Sequence, residues 1–205
     1  MTKRISAKKK ISRKLGASLW GQAKDPYVKR NYRPGQHGAA TKGRSSDYGM
    51  QLRAKQRMKF VYGNISEKQF YNTFKLATTL KGDVSENFIS LLESRLDSVV
   101  YRANFVPTVF SARQFVNHKH VTVNGKVVNI PSYRLKVGDV VQIREKSRSL
   151  AIVIDSLQKM ERDVPSYLQL EKDTHSVKFT QKPTFAEVPY AVEMHPHLIT
   201  EFYSR

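Results

Sequence analysis

Ser94-Arg95-Leu96-Asp97-Ser98-Val99-Val100-Tyr101-Arg102, then Ala112-Arg113-Gln114-Phe115-Val116-Asn117-His118-Lys119, then Val123-Asn124-Gly125-Lys126-Val127-Val128-Asn129-Ile130-Pro131-Ser132-Tyr133 follow one another along the chain. The hydrophobic period changes from piece to piece. In the first, Leu96, Val99 and Val100 extend a helical stripe that begins near Ser85 with Phe88, Leu91 and Leu92, and Asn104 and Pro107 end it. In the second, Ser111 is placed to cap a short helix from Ala112 to Asn117. Around the third, Val121-Thr122-Val123 alternates, Asn124-Gly125 fits a tight hairpin turn, and Lys126-Val127-Val128 returns. Helices running into antiparallel strands predict an α+β fold.

Polar side chains decorate this framework at helical spacings. Arg95 and Arg102 are seven apart, on one face of a helix. Arg113 and Asn117 are four apart on the next, with Gln114 and His118 in a parallel row, and Lys119 stands at the hairpin entry. Guanidinium and ammonium groups suit phosphate, while amides and imidazole suit sugar hydroxyls and base edges. Charged helix positions are ordinarily just a solvated face, so the weight falls on the charge of the whole chain.

That charge is large. The 205 residues, 40% of them apolar, can build one or two cores, but 36 Lys and Arg against 17 Asp and Glu leave a formal charge of +19. Such self-repulsion opposes folding and fits a polyanionic partner. Residues 1–60 hold 17 Lys or Arg and two acids, Asp25 and Asp47, so most of the excess lies in the first third. No stretch approaches the roughly 18–20 apolar residues of a membrane span. With no cysteine there is no disulfide, thiolate zinc site or cysteine nucleophile. Met1-Thr2-Lys3-Arg4 leads into basic residues without an apolar secretory core, so no leader is expected.

Upstream, Asp47 to Gly63 reads as a helix, and Ser66-Glu67-Lys68-Gln69 is a capping box opening a second, with Phe70, Phe74, Ala77 and Leu80 on one stripe and Gly82 as the stop. With the Ser85–Val100 segment these read as a small helical bundle. Residues 1–44 lack sustained periodicity and should order mainly against their partner. Aromatics alternate with cations at Tyr27-Val28-Lys29-Arg30-Asn31-Tyr32-Arg33, where base stacking and plain packing are comparable readings. Downstream come a Gly138-Asp139 turn, a strand from Val140 to Arg144, a helix capped at Ser147, strands around Tyr167–Leu170 and Val177–Phe179, and a helical tail from Leu198 to Tyr203.

The pieces from Ser94 to Tyr133 resemble the RNA-binding module named after the fourth small-subunit ribosomal protein. Arg33-Pro34-Gly35-Gln36-His37-Gly38, the stretch Ser46 to Gln56, Val61-Tyr62-Gly63 and the ending His197 to Arg205 are similar to the bacterial family of that ribosomal protein, in matching order over nearly the whole chain. The resemblance implies an α+β protein with a basic extended N-terminal arm (1–44), a small helical domain (45–93, completed by 188–205) and an αL-type RNA-binding domain (94–187, core at 94–157) whose helices pack on a curled antiparallel sheet. It implies a primary binder of the 5′ domain of small-subunit rRNA that nucleates assembly of the subunit body, with neighbours among small-subunit proteins three and five. Roles in translational accuracy and in repression of its own mRNA, and a ribosome-bound, bacterial, cytoplasmic location, follow from the same resemblance. Taken with the basic runs, the candidate RNA-contacting residues are Lys8, Lys9, Lys10, Arg13 and Lys14; Arg33, Gln36, His37 and Arg44; Tyr48, Arg53, Lys55 and Arg57; and, in the module, Arg95, Arg102, Ser111, Arg113, Gln114, Asn117, His118, Lys119 and Lys126. Some family members carry N-terminal cysteines arranged for zinc, and this chain has none.

Other chemistry finds little support. His175, His195 and His197 lack metal-ligand spacing, so no metal or cofactor is expected. Pro34 to Gly38 is not a nucleotide-cradling loop, and neither a Gly-x-Ser-x-Gly elbow nor a Cys–His pair exists, so neither an enzyme nor a small-molecule substrate is expected. An RNA-modifying enzyme using the same module would need a further catalytic domain. A stress-type RNA-binding protein would lack the Pro34–Gln56 pattern.

Overall fold

The computed structural model describes residues 7–22, 24–40, 46–171 and 173–204. Its elements, in chain order, are α1 (Lys8–Leu15), α2 (Pro26–Lys29), α3 (Asp47–Val61), α4 (Glu67–Thr79), α5 (Val84–Glu93), α6 (Leu96–Arg102), α7 (Val109–Asn117), β1 (Val121–Val123), β2 (Lys126–Val127), β3 (Val140–Ile143), α8 (Glu145–Arg148), α9 (Ala151–Lys159), β4 (Leu168–Glu171), β5 (Ser176–Phe179) and α10 (Pro196–Tyr203). The chain is α+β. It divides into two compact units, residues 1–72 with 190–205 and residues 73–189. No helix among the described residues is long and apolar enough to cross a membrane.

In the first unit α10 packs along α3, and α1 packs on α2 and α3. Its core is Leu19, Met58, Ile65, Phe70 and Ile199. Residues 7–19 depart from the expectation of a segment without periodicity: Ile11 and Leu15, four apart, and Leu19 are buried, while Lys9, Lys10 and Lys14 stay exposed. A two-residue apolar stripe is short, but it seats α1 because α3 supplies the opposing surface.

In the second unit the five strands form one antiparallel sheet in the order β2-β1-β3-β5-β4. Val121, Val141, Ile143, Val177 and Phe179 are buried in the core, with Phe88, Ile89, Leu92 and Val116 from the helices and Phe105 from the loop after α6. The helix expected to run unbroken from Ser85 to Val100 is two helices. Asp83 caps α5, and the break comes at Ser94-Arg95, where Arg95 is extended (φ −68°, ψ 141°). Tyr133 and Pro131 accept from the Leu96 and Asp97 amides, and Leu135 N–H donates to Ser94 O. These bonds require extended backbone at Arg95. The apolar spacing continues through the break, which is why it is invisible in the pattern.

Candidate nucleic-acid interface

α7 opens with a capping box in which Thr108 is the cap and Ser111 its partner: Ser111 N–H donates to Thr108 Oγ1 (3.1 Å) and Thr108 N–H to Ser111 Oγ (3.0 Å). Ser111 was expected to be the cap itself, but Val109 and Phe110 already belong to the helix. Val109, Ala112, Phe115 and Val116 are buried, while Gln114, Asn117, His118 and Lys119 are all exposed. Lys119 takes a left-handed φ of 62°, which turns the chain from the helix into β1. The outward polar row therefore continues from helix to hairpin.

The far end of β3 locks this corner. Arg144 N–H donates to His120 O (2.9 Å) and its Nη1 to Lys119 O (3.0 Å). The His120 ring stacks on Phe115 (4.8 Å between centroids), and its Nδ1 lies 2.8 Å from Ser147 Oγ. Burial, then the charges of His118 and Arg144, hold His120 below the usual imidazole range. Arg144 was not among the expected contacts; the run Arg144-Glu145-Lys146-Ser147-Arg148 was the available signal. Across the sheet, Asn124 (φ 49°) and Gly125 (φ 79°) form the turn between β1 and β2. Asn124 Oδ1 accepts from Val140 N–H and its Nδ2 donates to Asp139, both at 2.9 Å. The stitched turn presents Lys126 exposed on the edge strand.

Three expected contacts lie inside the fold. Arg95, 4% exposed, is bidentate to Asp97 (2.9 and 2.6 Å). Arg102, 6% exposed, is bidentate to Glu93 (3.2 and 2.8 Å) and donates to Pro189 O, while Tyr167 Oη donates to Glu93. The expected shared outer face of Arg95 and Arg102 does not exist, because the break at Ser94-Arg95 turns both inward toward carboxylates. Lys55, 7% exposed, bonds Glu67 Oε1 at 2.7 Å and lies 4.2 Å from the centroid of Phe202. Arg113 is half-buried, and its charge lowers the carboxyl of Asp97 against the larger effect of burial, which raises it.

The other expected residues of the first unit are more open. Lys9, Lys10 and Lys14 line the outer side of α1; the helix includes the backbone of Lys8, whose side chain lies outside the described set, as does Arg44 altogether. Arg13 donates to Tyr32 O (3.1 Å) and Arg33 O (3.3 Å) and covers the Tyr32 ring at 4.8 Å, tying α1 to the turn that exposes Arg33, Gln36 and His37. In that turn a Cβ on Gly38 would stand 1.8 Å from Arg33 O, so only glycine fits. Tyr48 is half exposed beside Phe202 (5.7 Å). Arg53 and Arg57 are partly exposed on α3, Arg57 holding Leu15 O with Nε and Nη2. Among the described residues no group of His, Asp and Glu is placed to hold a metal ion.

Residues 3–93 match the family model of the ribosomal protein S4/S9 N-terminal domain, and residues 94–141 that of the S4 domain. The small ribosomal subunit proteins uS4 of Brucella abortus (strain S19) and of Nitrobacter winogradskyi are each 58% identical to it over 205 residues, covering the whole of both chains. The chain belongs to the uS4 family. The exposed row on α7, Lys119 and the hairpin all fall within the matched S4 domain, and α1 and α3 within the matched N-terminal domain.

Proposed function

We propose that the chain is a primary rRNA-binding protein of the small subunit, which grips the 5′ domain with the α7–hairpin corner of residues 94–187 and the basic faces of α1 and α3. Membership of the family makes it a structural protein of the bacterial small ribosomal subunit, not an enzyme, and sets its place on the ribosome in the cytoplasm. The observation that carries the RNA reading is the row Gln114, Asn117, His118 and Lys119, exposed together beside Arg144, whose guanidinium is held by a backbone carbonyl and not a carboxylate. Phosphate would meet Lys119 and Lys126, and sugar and base edges the amides and His118. Two basic units on one chain bind several helices of one RNA more tightly than either could alone, which suits a protein that nucleates assembly. The same reading includes contacts with small-subunit proteins three and five, an influence on translational accuracy, and binding to its own mRNA. Footprinting on naked small-subunit rRNA is the test. The parent chain should protect a 5′-domain junction, and Lys119→Gln should weaken that protection; footprints confined to another domain would overturn the proposal.

A further inference from the structure

The first unit contains a cavity of about 310 Å³ lined by Met50, Arg53, Ala54 and Arg57 of α3 and by His195 and Leu198 at the start of α10. The α3 residues recur at three and four positions, so they form one stripe of the helix. Met50, Ala54 and Leu198 make the walls apolar, while Arg53, Arg57 and His195 bring cations or donors to them. Internal bonds use only part of this capacity. Arg53 donates Nε to Gly49 O (3.3 Å), and Arg57 donates Nε and Nη2 to Leu15 O (3.4 and 3.1 Å), which leaves both Nη groups of Arg53 and Nη1 of Arg57 for a ligand. None of the described lining residues is acidic. Glu193, 3.9 Å from His195 Nε2, keeps 84% of its side chain exposed and adds no carboxylate to the walls.

Two guanidiniums and an imidazole over apolar walls make a site for an oxyanion, since partial exclusion of water strengthens each charge-assisted bond. We propose that this cavity is a socket for one phosphodiester of bound RNA, with His195 as its third donor. The proposal rests on the RNA-binding reading for the source of the phosphate, and specifies where α3 takes hold of the backbone. A polynucleotide also gains from the 17 cations against two acids of residues 1–60, whereas an isolated carboxylate gains only the socket. Inorganic phosphate shares the chemistry without that added field.

The full-length chain is titrated with inorganic phosphate, dimethyl phosphate and acetate while the arginine Nε–H and His195 ring signals are followed by NMR. Its affinity for small-subunit rRNA is measured across a salt series. Both phosphates should shift the Arg53, Arg57 and His195 signals, and acetate much less. Arg53→Gln and His195→Gln should each weaken rRNA binding about tenfold and flatten the log K against log salt slope by about 0.7–0.9, the equivalent of one phosphate. Met50→Glu removes no cation and replaces a side chain that is 44% exposed, so it should act the same way on a preserved fold. Arg57 is left intact because it holds the Leu15 carbonyl. Unchanged rRNA binding in all three variants, with or without a shift by free phosphate, overturns the socket and leaves the RNA-binding reading standing. Acetate acting as strongly as phosphate also overturns it. A parent chain that fails to bind rRNA removes both readings at once.

Discussion

Residues 92–100 and residues 114–119 carry similar chemistry and use it in opposite ways. Every side chain from Leu92 to Val100 is buried, including Glu93, Arg95, Asp97 and Ser98, whereas Gln114, Asn117, His118 and Lys119 remain in water around a buried Phe115 and Val116. The difference lies in the partners. Inside, each arginine meets a carboxylate two or nine residues away and closes a bidentate pair. Outside, Arg144 closes the corner on a backbone carbonyl, leaving its charge uncompensated there. Cations paired with carboxylates hold this protein together; cations without them are available to a polyanion.

The largest expected effect tests the inner half of that contrast. Arg102→Met leaves Glu93, fully buried, with Tyr167 but without its cation. Breaking a buried pair from one side costs about 3–5 kcal/mol, and replacing both partners with apolar groups recovers much of it. Urea denaturation should therefore show a large loss for Arg102→Met, partly restored when Glu93→Leu is added. The folded fraction of Arg102→Met should bind rRNA as the parent does. Parent-like stability with lost affinity would make Arg102 a contact residue and erase the distinction.

On the outer half the two readouts should exchange. Lys119→Gln and Asn117→Asp remove or oppose a donor at exposed positions, so melting should stay within about 0.5 kcal/mol of the parent. rRNA affinity should fall by about 1.5–3 kcal/mol where a charge-assisted bond is lost. Filter binding and thermal melts on the same preparations separate the two, and a melt that drops while affinity holds would place these side chains with Arg95 and Arg102.

Most of the fold is legible in the sequence, and the buried cations mark where the pattern stops being informative. The hairpin follows from Asn124-Gly125, the strand at Val140 from the Gly138-Asp139 turn before it, and three strands from alternation, because turn chemistry and period are local properties. Arg95 and Arg102 were assigned outward because the apolar spacing runs unbroken across Ser94-Arg95. The feature that breaks the helix, the amides of Leu96 and Asp97 donating to residues 133 and 131, is more than thirty residues away in sequence. The burial of Lys55 is hidden from the pattern in the same way, since Glu67 and Phe202 come from other elements. Gln114, Asn117 and His118 face outward, with Arg113 half-buried beside them, because one amphipathic helix, with its own core face, fixes their direction.

Lys55 is the intermediate case, a buried cation whose carboxylate is half in water. Glu67 receives Lys55 at 2.7 Å, Lys59 at 3.0 Å and the Tyr203 hydroxyl at 2.8 Å, with 47% of its side chain exposed. Burial alone would raise its carboxyl. The hydrogen bonds from Lys55, Tyr203 and Lys59, with the charge of Lys59, outweigh burial and bring it from 4.5 to about 2. The folded value lies below the unfolded one, so as pH falls the unfolded chain takes up the proton first. The stabilisation is therefore complete above about pH 4.5 and disappears as pH falls toward about 2. Because water screens a side chain this exposed, the contribution should be on the order of 1 kcal/mol, well below the full conversion of the shift. The stability difference between the parent and Glu67→Gln, measured by denaturant titration from pH 5.5 to pH 2.5, should shrink along that window. A difference that stays constant would mean that Lys55 is held by the Phe202 ring and burial rather than by Glu67, and that a buried cation here needs no carboxylate.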